Sequence, residues 1–157
     1  MQEMTALHPG IVLTGMGLIV ATVLVHAVGT HALIRFLGRH YANASGLIPS
    51  HKALPAVIWT AMALMVLHVI EIQLWALTYL FIVPGDTLDT YEKAAYFSFV
   101  TYTTVGYGDV TLSTQEWRLL SGIEAMNGIL LAGWSTALLF VVVQRSWKGL
   151  GREGRKN

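Results

Sequence analysis

The chain has 157 residues, of which 54% are hydrophobic and 12% charged, with a formal net charge of +1. An ordinary soluble domain carries about 25% charged residues, so much of this chain is built for lipid rather than water. The length suits a single domain, and the absence of Cys excludes disulfides, zinc thiolate sites and thiol redox switches.

Residues 11–34 include no charged side chain. As a helix this run reaches ~36 Å, enough to cross a ~30 Å hydrocarbon layer. No Lys or Arg precedes it, and it is too long for the core of a signal peptide, so a retained transmembrane helix is expected. A polar connection follows over 35–50. Ser50 and Pro55 suit a helix start, with Pro tolerated in the first turn. The second apolar run, 55–83, carries one charge, Glu71, and ends at Pro84-Gly85-Asp86. Residues 91–102 are apolar but too few to span a bilayer, and are expected to form a re-entrant helix. Asp89 with Glu92 fits its capped N-terminus. The third apolar run, 119–143, again carries one charge, Glu124, and Ser113 with Glu116 fits a capping box before it. The tail, 145–157, is polar and expected to be partly disordered.

The fold class expected is therefore an all-α membrane protein with three transmembrane helices and a re-entrant helix. Basic residues orient it. Arg35, Arg39 and Lys52 lie in the first connection, and Arg145, Lys148, Arg152, Arg155 and Lys156 in the tail; only Lys93 and Arg118 remain for the other side. The reading puts the N-terminus outside, the C-terminus in the cytoplasm, and the re-entrant entry outside.

After the short helix comes Thr103-Thr104-Val105-Gly106-Tyr107-Gly108-Asp109. The segment resembles the potassium-channel selectivity filter, and for the ion that this resemblance implies, dehydrated K⁺, about eight oxygens are needed, with neutral carbonyls binding it without trapping it. Aiming successive carbonyls at one axis requires a backbone that alternates between right- and left-handed regions. Gly106 and Gly108 permit the left-handed steps without a Cβ clash. One chain supplies one loop, so a closed ring needs four chains. The short helix would also point its partial negative C-terminus at a cation in the cavity.

These residues closely resemble the potassium-channel selectivity filter, and the likeness to two-transmembrane potassium channels extends over roughly 55–145. The resemblance implies K⁺ coordination by Thr104, Val105, Gly106 and Tyr107, with Gly108 shaping the outer mouth. Asp109 would brace the filter, supported by Tyr96, Thr101 and Thr103. Gly128 falls where many relatives carry a hinge glycine. By that alignment Ile129, Ala132, Thr136 and Phe140 face the pore, and Phe140 is a candidate constriction, although periodicity alone equally allows it to pack between helices. The chain departs from the family where Val110-Thr111-Leu112 follows the filter Asp in place of an early Pro. It departs again where Val100, Tyr96 and Phe97 replace the Glu and Trp residues of relatives. Tyr96 can still hydrogen-bond Asp109, whereas Phe97 offers Tyr107 nothing polar.

The resemblance divides the chain into an added N-terminal helix and connection (1–52), a pore domain (53–145) and a basic tail (146–157). The layout, with Glu71 and Gly133-Trp134-Ser135-Thr136, is similar to that of small bacterial ion-channel proteins. Arg35 and Arg39 are too few for a voltage sensor. The implied partners are three further copies, K⁺ and membrane lipids, with no nucleic acid, no cofactor and no enzymatic step. The implied location is a bacterial plasma membrane.

Polar groups in lipid need a reason. His26, His68 and Glu71 fall at similar depths and are expected to form a buried hydrogen-bonded cluster, either a structural clamp or a proton-sensitive gate. Glu124 lies about 140° round the helix from Ile129, so it should face another helix, with Asn127 a possible neighbour. Trp117 and Trp147 are expected as interface anchors at the two ends of the last helix. Three rival readings exist: a haem held between His26 and His68, a non-conducting accessory subunit, and a potassium transporter of related pore design.

Overall fold

The computed structural model describes residues 9–153, except the side chains of 150, 152 and 153. The polypeptide forms four α-helices and no strand among the described residues: α1 (Pro9–His40), α2 (Ser50–Phe81), α3 (Tyr91–Tyr102) and α4 (Arg118–Glu153), with a 3-10 turn at Gln115–Trp117. Three of them are long and apolar enough to cross a membrane.

The helices overrun the apolar sequence runs. α1 continues through Arg35 and Arg39 to His40, shortening the expected connection to nine residues, 41–49. α4 continues past Val143 to Glu153, so the part of the tail expected to be disordered is helical as far as it is described; residues 154–157 lie outside the described residues. An apolar run measures hydrocarbon thickness, while charged residues such as Arg and Lys are themselves good helix formers. Basic groups also suit a helix C-terminus, as Arg39 and His40 do in α1. α2 begins at Ser50, which places Pro55 in the second turn rather than the first.

Two caps differ from expectation. α3 is capped by Thr90, whose hydroxyl accepts from the Lys93 N–H, and the Asp89 carboxylate binds the Lys93 ammonium at 2.8 Å. The proximity of that ammonium holds the Asp89 carboxyl below its usual range. Before α4 the cap position belongs to Thr114, with no side-chain cap bond; its hydroxyl donates instead to the Pro84 carbonyl at 2.5 Å.

The chain groups into two compact units, each built from discontinuous stretches. One holds residues 9–24 and 69–131 of the described chain. Its core packs Ile11, Ile72, Trp75, Tyr79, Phe97, Tyr102 and Leu120. Trp75 is fully buried there and is no interface anchor, whereas Trp147 is 66% exposed and Trp117 packs beside this core. The other unit holds residues 25–68 and 132–153 of the described chain, with Leu33, Leu37, Ile48, Leu64 and Val142 at its centre. Asn43 shapes its tight connection by accepting N–H bonds from Ser45 and Leu47.

Candidate functional site: the loop after the short helix

α3 ends where its carbonyls turn to the following loop. The Thr103 N–H donates to Phe99, the Thr104 N–H to Thr101, and the Val105 and Gly106 N–H groups both to Val100, at 2.9–3.2 Å. The loop is thereby tied to the helix terminus before it extends.

Beyond that anchor the backbone alternates. Thr104, Gly106 and Gly108 have φ of 60°, 57° and 79°, while Val105 and Tyr107 are not left-handed. Every second residue is left-handed, the pattern that turns successive carbonyls to one side. A Cβ on Gly106 or Gly108 would meet nothing within 4 Å, so backbone conformation, not space, calls for glycine at both. Sequence reasoning assigned the left-handed steps to the two glycines alone. Thr104 makes a third, at a local cost of about 1–2 kcal/mol for a side chain in that region. The exposed side chains of Val105 and Tyr107 (52% and 72%) have no cover within one chain.

Around the loop, the Tyr96 hydroxyl donates to Asp109 Oδ2 at 2.7 Å, the contact expected from sequence. That bond, then the Val110 N–H on the other oxygen, holds the Asp109 carboxyl below the usual range. Phe97 turns into the core, edge-on to Tyr79 at 5.0 Å. The Thr103 hydroxyl bonds back to the Phe99 carbonyl at 2.6 Å, and Thr101 contributes its carbonyl to the Thr104 N–H.

The rear face of α3 meets two fully buried carboxylates. Glu124 on α4 accepts from the Tyr79 hydroxyl at 2.8 Å and from the Ser98 hydroxyl. Glu71 on α2 accepts from the Tyr102 hydroxyl at 2.6 Å. Ser98 also reaches the Ile72 carbonyl at 3.0 Å. Glu124 thus faces other helices, as expected, while the Asn127 amide donates to Thr22 on α1 at 2.8 Å. The hydroxyl partners Tyr79, Ser98 and Tyr102 were missed. A signal existed: Glu71, Trp75 and Tyr79 repeat at four-residue intervals, as do Ser98 and Tyr102, which puts each set on one helical face.

Gly128 is also explained by this unit. A Cβ there would lie 2.1 Å from the Tyr102 carbonyl oxygen, so glycine serves a close approach of α4 to the end of α3. α4 is helical throughout Arg118–Glu153. Ile129, Ala132, Thr136 and Phe140 are all exposed in the single chain.

In the other unit, His26 is fully buried and its ring centroid lies 5.4 Å from that of His68. Both reach one hydroxyl: Ser135 Oγ is 2.9 Å from His68 Nε2 and 3.3 Å from His26 Nε2. Trp134 packs edge-on to His26 at 5.3 Å. Ser135 belongs to a stretch the sequence reading singled out, but its partnership with the histidines was not foreseen.

A family model described as an ion channel matches residues 57–145. Two-pore potassium channel 4 of Arabidopsis thaliana is 33% identical over 75 residues, which is 45% of this chain and 26% of that protein. The chain thus spans about a quarter of the length of that curated relative. No solved structure gives a significant match.

Proposed function

This chain belongs to the ion channel family, and we propose that it forms a potassium-selective channel from four copies arranged round a central axis. It is an integral membrane protein of three apolar helices long enough to cross a bilayer. The division into an added helix (1–52), a pore domain (53–145) and a basic tail (146–157) is part of this proposal.

The observation that carries the reading is the alternating left-handed backbone at Thr104, Gly106 and Gly108 within the Thr-Val-Gly-Tyr-Gly segment. Four such loops facing one axis would surround K⁺ with carbonyls of Thr104, Val105, Gly106 and Tyr107, plus the Thr104 hydroxyl at the inner end. Gly108 would then open the outer mouth and Asp109, held by Tyr96, would brace it. Exposure of Val105 and Tyr107 is consistent with cover from neighbouring copies. Ile129, Ala132, Thr136 and Phe140 repeat on one helical face and would line the inner pore, with Phe140 narrowing it. Conduction is passive and involves no covalent step.

The distribution of basic residues supports a cytoplasmic side for the connection after α1 and the end of α4. We infer a bacterial-type plasma membrane as the setting. The test is flux from vesicles containing the purified chain. Expected are K⁺ efflux well above Na⁺ efflux, and its loss in Gly106→Ala, whose Cβ opposes the left-handed step. Equal K⁺ and Na⁺ flux, or a fully active Gly106→Ala, would overturn the reading.

A further inference from the structure

α1 and α2 leave an apolar groove between them, about 520 Å³ in volume and so within the ~300–1,000 Å³ of ordinary ligand sites. Gly29, Ala32 and Phe36 line it from α1, and Trp59, Met62 and Val66 from α2. The close packing of the helices defines its floor: a Cβ on Gly29 would lie 2.3 Å from Leu67 Cδ2. In hydrocarbon such a groove does not stand empty, since an unfilled wall forfeits its dispersion contacts and apolar walls do not hold water.

Charge indicates the occupant. Arg39 follows Phe36 by three residues on α1, and Lys52 precedes Trp59 by seven on α2, so both continue the groove-lining stripes towards the short connection. Arg35 flanks them. Residues 25–68 contain these three basic side chains and no Asp or Glu. Arg35 and Arg39 are exposed. The Lys52 ammonium donates to the His40 carbonyl at 3.0 Å, which holds it at this end with further N–H donors to give. A second copy would serve badly here. The other described part of this unit adds Arg145, beside Gly38 and Ala42, and Lys148, so at this end a copy brings more positive charge.

We propose that the groove binds a membrane glycerophospholipid with an anionic headgroup, its acyl chain along Phe36, Met62 and Val66 and its phosphate at Arg39 and Lys52. Long basic side chains reach headgroup depth while their stems cover apolar surface, and the cytoplasmic leaflet is the anionic one. This site requires only the membrane setting and is independent of ion selectivity.

The test uses the full chain in phosphatidylcholine vesicles, with increasing amounts of phosphatidylglycerol carrying brominated acyl chains, which quench tryptophan on contact. Trp59 is 56% exposed and lines the groove. Quenching should reach its midpoint at a fraction of brominated phosphatidylglycerol about 25-fold lower than that of brominated phosphatidylcholine. Trp59→Phe should lose that steep component, while Arg39→Gln with Lys52→Gln should bring the two lipids together, about fivefold being lost per basic group. Coincident curves for the two lipids in the native chain would overturn the proposal, as would a steep component that persists in Trp59→Phe. The chain has no Cys, so Met62→Cys gives a clean third arm. Disulfide-linked copies in the membrane would mean that a second copy occupies the groove and would equally overturn it; the absence of linkage is expected. Flux measurements play no part in this readout, so its failure and that of the channel reading are separable.

Discussion

The two units differ in formal charge and bury different polar groups in an apolar medium. Of the nine acidic residues, eight lie in the stretches 1–24 and 69–131, together with two of the ten basic ones; the stretches 25–68 and 132–157 hold the other eight basic residues and one acid. In the first unit, the fully buried carboxyl groups of Glu124 and Glu71 accept hydrogen bonds from the hydroxyls of Tyr79, Ser98 and Tyr102. In the second, two imidazoles share the hydroxyl of Ser135. The carboxyl bonds hold the helix that leads into the proposed filter loop, so on that proposal their strength bears on conduction. The imidazole bonds join α1, α2 and α4, and bear on assembly of the helices.

The sharpest way to break this comparison is Glu124. Replacing it with Leu leaves the Tyr79 hydroxyl buried without that acceptor and removes one from Ser98, which keeps the Ile72 carbonyl. The expected loss of stability is about 2–4 kcal/mol, because buried polar groups left unpaired cost more than the net worth of a hydrogen bond. Glu124→Gln retains an acceptor oxygen and should cost roughly half as much. Thermal unfolding of the detergent-solubilised protein measures both, and K⁺ flux should fall in the same order. If Leu proves as stable and as conductive as Gln, the carboxylate is not what holds α3.

A smaller effect is expected at Ser135. Ser135→Ala removes the hydroxyl that both histidines contact and should cost about 1–2 kcal/mol, with the ratio of K⁺ to Na⁺ flux unchanged. Ser135→Thr keeps the hydroxyl and should recover much of the loss. An altered ion ratio in Ser135→Ala would mean that this unit contributes to selectivity after all, and the division of labour would go.

How far each unit could be read in advance follows from the range of its interactions. α3 was readable to the residue from local signals of length and apolarity, whereas the Tyr96–Asp109 bond was readable only through the resemblance to the channel family. The left-handed steps at Gly106 and Gly108 were readable because only glycine adopts them freely. Thr104 was not, because a strained residue has no signature in its own identity; its neighbours impose the conformation. The ends of α1 and α4 were misjudged because hydropathy reports the membrane rather than the hydrogen-bonded ladder. The pairings of Glu124 with Ser98, and of His26 with Ser135, join residues far apart in the chain, and side-chain periodicity names the face without naming the partner.

The mildest test concerns Asp109, where the comparison is between a held and a released carboxylate. The Tyr96 hydroxyl is the main cause of its lowered pKa. A folded-state pKa below the unfolded value means that ionised Asp109 contributes stability above the ordinary carboxylate range, and that this contribution disappears as pH falls through the folded value. Tyr96→Phe removes the largest cause, so the folded pKa should rise towards the ordinary value and the window should move up in pH. Because the group is exposed, the change should appear as a displaced acid limb rather than a large loss of stability at neutrality. K⁺ flux measured against external pH would report it: the variant should begin to lose flux at a higher pH than the native chain, with both equal near neutrality. Superimposable acid limbs would show that the Tyr96 bond does not govern Asp109, and the bracing proposed for the loop would then have to come from elsewhere, such as the cover that the proposed assembly would give Tyr107.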